Sequence, residues 1–140
     1  MRIEVRFNDD VAIIRLRGKF LAGSDGPYMR QKVKDLIEAG TKMLVVDLAQ
    51  VPVIDSTGLG FLAGSRVTTQ NAGVRMVLSG LKPQVQKVLD QLKLAQIFVI
   101  AADEAAAVKR VQELSPPPQV TEPASSRNAK GRKPSTGPAK

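Results

Sequence analysis

The chain has 140 residues, with 21 Lys and Arg against 13 Asp and Glu, a formal net charge of +8, and neither His nor Cys. This length suits one domain with a substantial hydrophobic core. The missing residue types exclude a Ser-His-Asp triad, a cysteine nucleophile, a disulfide framework and a zinc site built from the usual ligands. Most imidazole acid–base chemistry is excluded too, because His is the side chain that titrates unaided near neutral pH.

The basic excess is divided between a folded region and a short C-terminal segment. Residues 115–140 hold five of the basic residues, one glutamate and six of the nine prolines, but no Leu, Ile or aromatic residue. Such a segment cannot bury enough apolar surface to offset the entropy lost on ordering. We therefore predict a folded domain over residues 1–114 and a disordered, basic, proline-rich tail over residues 115–140. A tail of this kind contacts nucleic acid or an anionic membrane, or acts as a solubilising extension.

Targeting and membrane-spanning segments have no counterpart in the sequence. The N-terminal stretch MRIEVRF alternates charged and apolar residues and lacks an apolar core of signal-peptide length. The sequence also contains no run of about 18 apolar residues, the length that a spanning helix needs. We therefore expect a cytoplasmic protein that does not enter a membrane.

The first predicted elements are two strands and a helix. Ile3, Val5 and Phe7 alternate with charged residues, which is the period of a half-buried strand. The turn sequence Asn-Asp-Asp follows and leads into a second strand over residues 11–17, so the two strands form an antiparallel hairpin. Residues 27–39 then carry apolar side chains at helical spacing, which predicts a helix.

Strands and helices alternate along the rest of the chain. A continuous apolar run over residues 43–48 is typical of a strand buried on both faces of a sheet. The elements that follow are a helix at 57–71, a strand at 74–78, a helix at 82–92, a strand at 97–100 and a helix at 103–113. This order predicts an α/β fold with a mixed, mostly parallel sheet, an N-terminal antiparallel hairpin and covering helices.

The run DSTGLG, residues 55–60, is the sequence feature most suggestive of a site. It lies beyond the carboxyl end of a predicted strand, where open α/β sheets carry their sites. We expect the hydroxyl of Ser56 or Thr57 to cap the next helix, beside free N–H groups that attract an anion. Gly58 and Gly60 leave the surface near those hydroxyls uncrowded. A purely structural role, a capped helix start that packs closely on a strand, explains the same spacing.

Other kinds of site fit the sequence less well. The Gly-Leu-Gly run lacks the remaining glycine of a dinucleotide fingerprint, and no Gly-Lys-Ser/Thr completes a phosphate-binding loop. Ser65 follows a glycine but has no base to activate it. Asp47 and Asp55 form a carboxylate pair without further metal ligands, for which a structural role is the simpler interpretation. Scarce aromatic residues argue against stacking on single-stranded nucleic acid.

Three stretches of the sequence carry a family resemblance. They are VVDLAQVPVIDSTGLG at residues 45–60, NAGVRMVLSGL at 71–81 and LAQIF at 94–98. Together they resemble STAS domains of the anti-sigma factor antagonist type. The likeness extends over residues 3–112, and its Asp-Ser-Thr-Gly-Leu stretch within a strand–loop–helix context is quite specific.

The resemblance implies a regulatory protein that is not an enzyme and needs no cofactor or metal. In that family the serine after the aspartate is phosphorylated by a partner serine kinase that is itself an anti-sigma factor. The unphosphorylated form captures this kinase and frees a sigma factor, which regulates transcription indirectly. The resemblance therefore implies that Ser56 is the phosphorylation site and that Asp55, Thr57 and Gly58 join it in the partner-binding surface. No direct contact with nucleic acid is expected.

The sequence departs from the family in one place. Many members carry Gly-Glu-Leu-Asp after the second strand, whereas this chain has Gly-Lys-Phe-Leu-Ala at residues 18–22, and Asp25 follows shortly. The partner kinase, its sigma factor and the oligomeric state therefore stay open. One alternative is a constitutive STAS scaffold or transport-accessory domain in which Ser56 is only a helix cap. Another is a small-molecule or nucleotide-binding protein that uses the same helix N-terminus.

Overall fold

A computed structural model describes residues 1–116 of the chain. Its elements are β1 (Arg2–Asn8), β2 (Val11–Arg17), α1 (Gly26–Glu38), β3 (Met43–Gln50), α2 (Ser56–Asn71), β4 (Arg75–Ser79), α3 (Pro83–Gln91), β5 (Val99–Ala101) and α4 (Glu104–Glu113). None of the helices described is long and apolar enough to cross a membrane. The tail predicted over residues 115–140 lies outside the described residues from position 117 onward.

The five strands form one sheet in the order β1-β2-β3-β4-β5. β1 pairs with β2 antiparallel through a tight turn at Asp9 and Asp10, and every later neighbour pairs parallel. Each parallel pair is joined by a helix, because parallel strands need a crossover connection. The predicted mixed, mostly parallel sheet with an N-terminal hairpin and covering helices is confirmed.

The helices cover both faces of the sheet. α1, α2 and α3 pack on one face around the larger core, and α4 packs alone on the other. In β2, Ile14 and Leu16 face the larger core, and Val11 and Ile13 are also fully buried, against α4. β2 is therefore buried on both faces, as is the continuous apolar run of β3.

The strand predicted over residues 97–100 is shorter and lies later in the chain. Residues 95–97 form a single 3-10 turn, in which Ile97 N–H donates to the Leu94 carbonyl at 3.2 Å and Phe98 N–H donates to the Ala95 carbonyl at 3.4 Å. Those N–H groups are used within the turn and cannot join the sheet ladder. β5 consequently begins only at Val99.

Candidate functional site

The chain after β2 extends that strand beside the segment that leads into α2. Gly18 N–H donates to the Gln50 carbonyl at 2.9 Å, and Phe20 N–H donates to the Val53 carbonyl at 3.0 Å. Asp55 N–H in turn donates to the Phe20 carbonyl at 3.3 Å. These bonds fix the start of α2 beyond the carboxyl ends of β2 and β3, which is where the sequence places the run at residues 55–60.

Asp55 holds this corner together with both carboxylate oxygens. Oδ1 accepts from Gly58 N–H at 2.9 Å, which caps the first turn of α2, and Oδ2 accepts from Ala22 N–H at 2.9 Å. Hydrogen bonds to the charged form, first from Gly58 and then from Ala22, lower the pKa of Asp55 below its usual range. An ionised Asp55 therefore ties the β2–α1 loop to the start of α2.

The prediction that Ser56 or Thr57 caps α2 is wrong. The capping residue must be extended and must offer an oxygen to an N–H further along, and Asp55, at φ −111° and ψ −177°, meets both conditions. Ser56 is the first helical residue, and within residues 1–116 neither its hydroxyl nor that of Thr57 makes a hydrogen bond. Both residues are exposed. Ser56 therefore does not cap α2.

Gly58 permits a close approach between α2 and the extension of β2. A Cβ at this position would lie 2.3 Å from the Phe20 carbonyl oxygen and 2.9 Å from Ile54 Cγ1. Gly58 is buried, so the expectation that it leaves an open surface beside the hydroxyls is wrong. It instead lets the first turn of α2 pack closely against the loop. Gly60 differs, because a Cβ there would meet nothing within 4 Å. Its open surface agrees with the expectation of uncrowded hydroxyls.

The loop that departs from the family pattern contacts the start of α2 through Asp55. Its Ala22 supplies the N–H that Asp55 binds. Within the loop, the Ser24 hydroxyl accepts from Leu21 N–H at 3.1 Å and donates to the Lys19 carbonyl at 3.0 Å. Residues 18–22 of this loop carry an exposed Lys19 and no acidic side chain. The sequence offers no signal for the Ala22–Asp55 bond, because it uses the backbone N–H of Ala22 and not its side chain.

A groove between α1 and α2 opens next to Thr57. It encloses about 520 Å³ and is lined by Arg30, Thr57, Gly60, Phe61, Gly64, Val67 and Thr68. Val67 follows Leu59 and Ala63 at helical spacing, but it is 56% exposed. Ser65 is buried instead, and its hydroxyl donates back to the Phe61 carbonyl at 2.9 Å. Ser65 is therefore engaged in a local helix contact and is not available as a nucleophile.

Asp47 and Asp55 have different hydrogen-bond partners and share none of them. Asp47 is 5% exposed. It accepts from Arg15 Nε at 3.3 Å and from Ala49 N–H at 2.9 Å on the α4 face of the sheet. Within residues 1–116 no group of three or more His, Cys, Asp or Glu side chains is placed to hold a metal ion. The pair thus has structural partners at both positions.

Comparison with known proteins gives the family. A family model described as "STAS domain" matches residues 2–107. The chain belongs to the STAS domain family. This STAS chain is 26% identical over 116 residues to the anti-sigma F factor antagonist of Paenibacillus polymyxa, covering 82% of the chain and 98% of the relative. The resemblance seen in the sequence is thereby confirmed, and the relative is named as a regulator rather than an enzyme.

Solved structures share the fold at lower identity. The crystal structure of an anti-sigma factor antagonist from Mycobacterium paratuberculosis is similar with a TM-score of 0.71 and 19% identity, covering 80% of this chain and 94% of that one. The Bacillus cell fate determinant SpoIIAA in its phosphorylated form gives a TM-score of 0.61 and 21% identity, covering 79% and 99%. At these identities the likeness is one of fold.

Proposed function

We propose that this STAS domain is an anti-sigma factor antagonist that binds an anti-sigma serine kinase, and that phosphorylation of Ser56 switches this binding off. The observation that carries the proposal is the Ser56 hydroxyl itself. It is exposed on the first turn of α2 and makes no hydrogen bond within residues 1–116, while the neighbouring Asp55 does the capping. The name of the Paenibacillus polymyxa relative supports an anti-sigma factor as the partner.

The chain needs to supply only the acceptor in the transfer. The Ser56 oxygen forms a bond to the γ-phosphorus of the kinase's ATP, the bond from that phosphorus to the ADP oxygen breaks, and the hydroxyl proton passes to a base in the kinase active site. An acceptor must enter the active site of another protein. An exposed hydroxyl at the end of a helix is accessible enough for this. SpoIIAA, which shares this fold, has a structure in its phosphorylated form, so a protein of this fold accepts the group.

The phosphate would change the interface and leave the fold intact. It adds about −1.5 to −2 charges and three acceptor oxygens. The N-terminus of a helix favours negative charge, and the α2 cap rests on Asp55, so the helix start does not depend on the Ser56 hydroxyl. A partner packed against a small neutral hydroxyl would instead meet a dianion beside the Asp55 carboxylate. This is a local charge switch that acts on binding.

The proposed partner-binding surface is the Ser56 corner, which consists of Asp55, Ser56, Thr57 and the loop over residues 18–22. Ser56 and Thr57 present exposed hydroxyls, and Gly58 sets their position through its close contact with Phe20. The acid-free loop gives this corner a different charge from that of relatives with Gly-Glu-Leu-Asp. We expect the cognate kinase surface to match this difference.

Mass spectrometry of the full chain purified from its native cells tests the acceptor. We expect one phosphate, mapped to Ser56, that disappears in Ser56→Ala and persists in Thr57→Ala. Thr57 is the matched control because it is the adjacent exposed hydroxyl on the same helical turn. A phosphate on Thr57 instead, or a chain unmodified when its recovered kinase and ATP are present, contradicts the proposal. The latter result favours the constitutive scaffold or transport-accessory alternative.

A further inference from the structure

The two edges of the sheet differ in how well they are protected. β5 has three residues, whereas β1 has seven and pairs along its whole length with β2. In residues 1–116, β1 has no other strand neighbour. An edge strand leaves alternate N–H and C=O groups unpaired, and proteins blunt such edges with short strands, prolines, bulges or charged side chains. β1 carries charged side chains, but of mixed sign, at Arg2, Glu4 and Arg6. β1 contains no proline, and its register with β2 is continuous.

The side chains of β1 divide cleanly between its two faces. Ile3, Val5 and Phe7 lie on the face of the larger core, and the charged residues alternate with them on the α4 face. Ile3 and Val5 are only half-buried against that core, and Phe7 is 59% exposed. The apolar row of β1 is therefore incompletely covered within one copy of the chain.

We propose that two copies of this chain associate through antiparallel pairing of β1 with β1, around a two-fold axis at Val5. The axis is perpendicular to the sheet, so the two five-stranded sheets become one continuous sheet. In this register Val5 faces Val5 and Ile3 faces Phe7 of the second copy. On the other face, Glu4 of each copy lies opposite Arg6 of its neighbour. Apolar and opposite-charge cross-strand pairs both stabilise antiparallel strands.

The charge pattern selects this register over its neighbours. Moving the axis to Glu4 places two glutamates opposite each other, and moving it to Arg6 does the same for two arginines. Like charges directly opposite are destabilising. The ends of the strand agree, because the Val5 register brings Arg2 of each copy to the Asn8–Asp10 turn of the other. Shifting the pairing by a single residue, which puts the axis between two residues, would place apolar side chains opposite charged ones.

The charged residues of β1 remain available to a second copy. Glu4 has an ion pair with Arg17 at 3.4 Å, and both side chains are 39% exposed. Arg6 pairs with Glu104, and its side chain keeps 49% of its accessible surface. Each can therefore form a second, cross-strand contact without leaving its partner. The inference does not rest on the proposed switch at Ser56, which lies at the end of β3, two strands from this edge.

Analytical ultracentrifugation of the full chain with charge variants tests the pairing. We expect a monomer–dimer equilibrium whose dissociation constant rises at least about tenfold in Glu4→Arg and in Arg6→Glu, because each variant places like charges opposite each other. An equimolar mixture of the two variants should dimerise again, since every cross-strand pair then joins arginine to glutamate. Lys87→Glu on α3, which makes the same charge change as Arg6→Glu, should dimerise like the wild type. Circular dichroism confirms that each variant is folded.

A cysteine variant tests the geometry by a separate route, because the chain has no native Cys. Residues directly opposite in an antiparallel pair have Cβ atoms about 4.5–5.5 Å apart, close to the reach of a disulfide. Val5→Cys should therefore form a disulfide dimer rapidly under mild oxidation, whereas Leu92→Cys, exposed at the end of α3, should stay largely monomeric. A wild-type chain that is monomeric up to its solubility limit overturns the proposal. So does a dimer that ignores both charge variants and does not cross-link through Val5→Cys.

Discussion

Replacing Gly58 with alanine tests how closely the start of α2 approaches the neighbouring loop. The added Cβ would lie 2.3 Å from the Phe20 carbonyl oxygen and 2.9 Å from Ile54 Cγ1, whereas ordinary contacts begin at 3.4 Å. The backbone must therefore shift by about 1 Å, because a carbonyl cannot rotate away as a flexible side chain can. Overpacking of this kind costs about 1–3 kcal/mol. The helix recovers about 0.5–1 kcal/mol from replacing glycine, so we expect a net loss of about 1 kcal/mol.

Gly60→Ala is the matched control for this measurement. It makes the same chemical change two residues further along α2, at a position where a Cβ meets nothing within 4 Å. We expect Gly60→Ala to stabilise the domain by about 0.5–1 kcal/mol, because alanine is the better helix former. Urea unfolding with an unchanged m-value gives both free energies of unfolding.

The signs of the two effects decide the outcome. A Gly58→Ala variant as stable as Gly60→Ala would refute the close approach of α2 to the Phe20 carbonyl. The same shift should also weaken the 3.3 Å bond from Asp55 N–H to that carbonyl. We therefore expect Gly58→Ala to slow phosphorylation of Ser56, while Gly60→Ala leaves the bonds that position the corner intact.

Three other substitutions test the site and its support. Asp55→Asn should destabilise the domain at neutral pH. Because its pKa is lowered on folding, Asp55 contributes fully above the unfolded-state value of about 3.9, and the difference from Asp55→Asn should fade in urea titrations as pH falls through the folded pKa. Ser56→Ala should change the free energy of unfolding by less than about 0.5 kcal/mol, since no intramolecular bond is lost; a loss above about 1 kcal/mol would indicate a cap role after all. Asp47→Ala should cost about 1–3 kcal/mol in the same assay, because Arg15 loses a buried acceptor; an unchanged midpoint would show that this pair is not stabilising.

The order of elements and the form of the sheet could be predicted because the periods of apolar residues are local. The alternation in β1 and the continuous apolar run of β3 each report their own burial. Short connections then leave few topologies open. The burial of β2 on both faces could not be predicted from a local pattern. Val11 and Ile13 are covered by α4, which lies far along the chain, so their burial depends on how the last helix docks.

The cap of α2 shows the limit of sequence reasoning at the candidate site. Asp, Ser and Thr are all good capping residues, and here they stand in succession at positions 55–57. Only backbone geometry separates them, and it selects Asp55, which also binds Ala22 of a distant loop. The exposure of Val67 could not be predicted for a related reason. It lines the α1–α2 groove, and that groove depends on how the two helices cross. The family resemblance, by contrast, depends on contiguous motifs, which can be recognised without knowing the three-dimensional structure.

Binding to the anti-sigma kinase, measured in the two states of Ser56, tests the central claim most directly. Calorimetric titrations would compare the full chain carrying serine or phosphoserine at position 56, using the kinase recovered with Ser56→Ala as bait. We expect the serine form and Ser56→Ala to bind alike, and the phosphoserine form to bind at least about tenfold more weakly, a difference of about 1.4 kcal/mol. Ser56→Asp should fall between them, because it carries less charge than phosphate. Equal affinity of the serine and phosphoserine forms would contradict the switch.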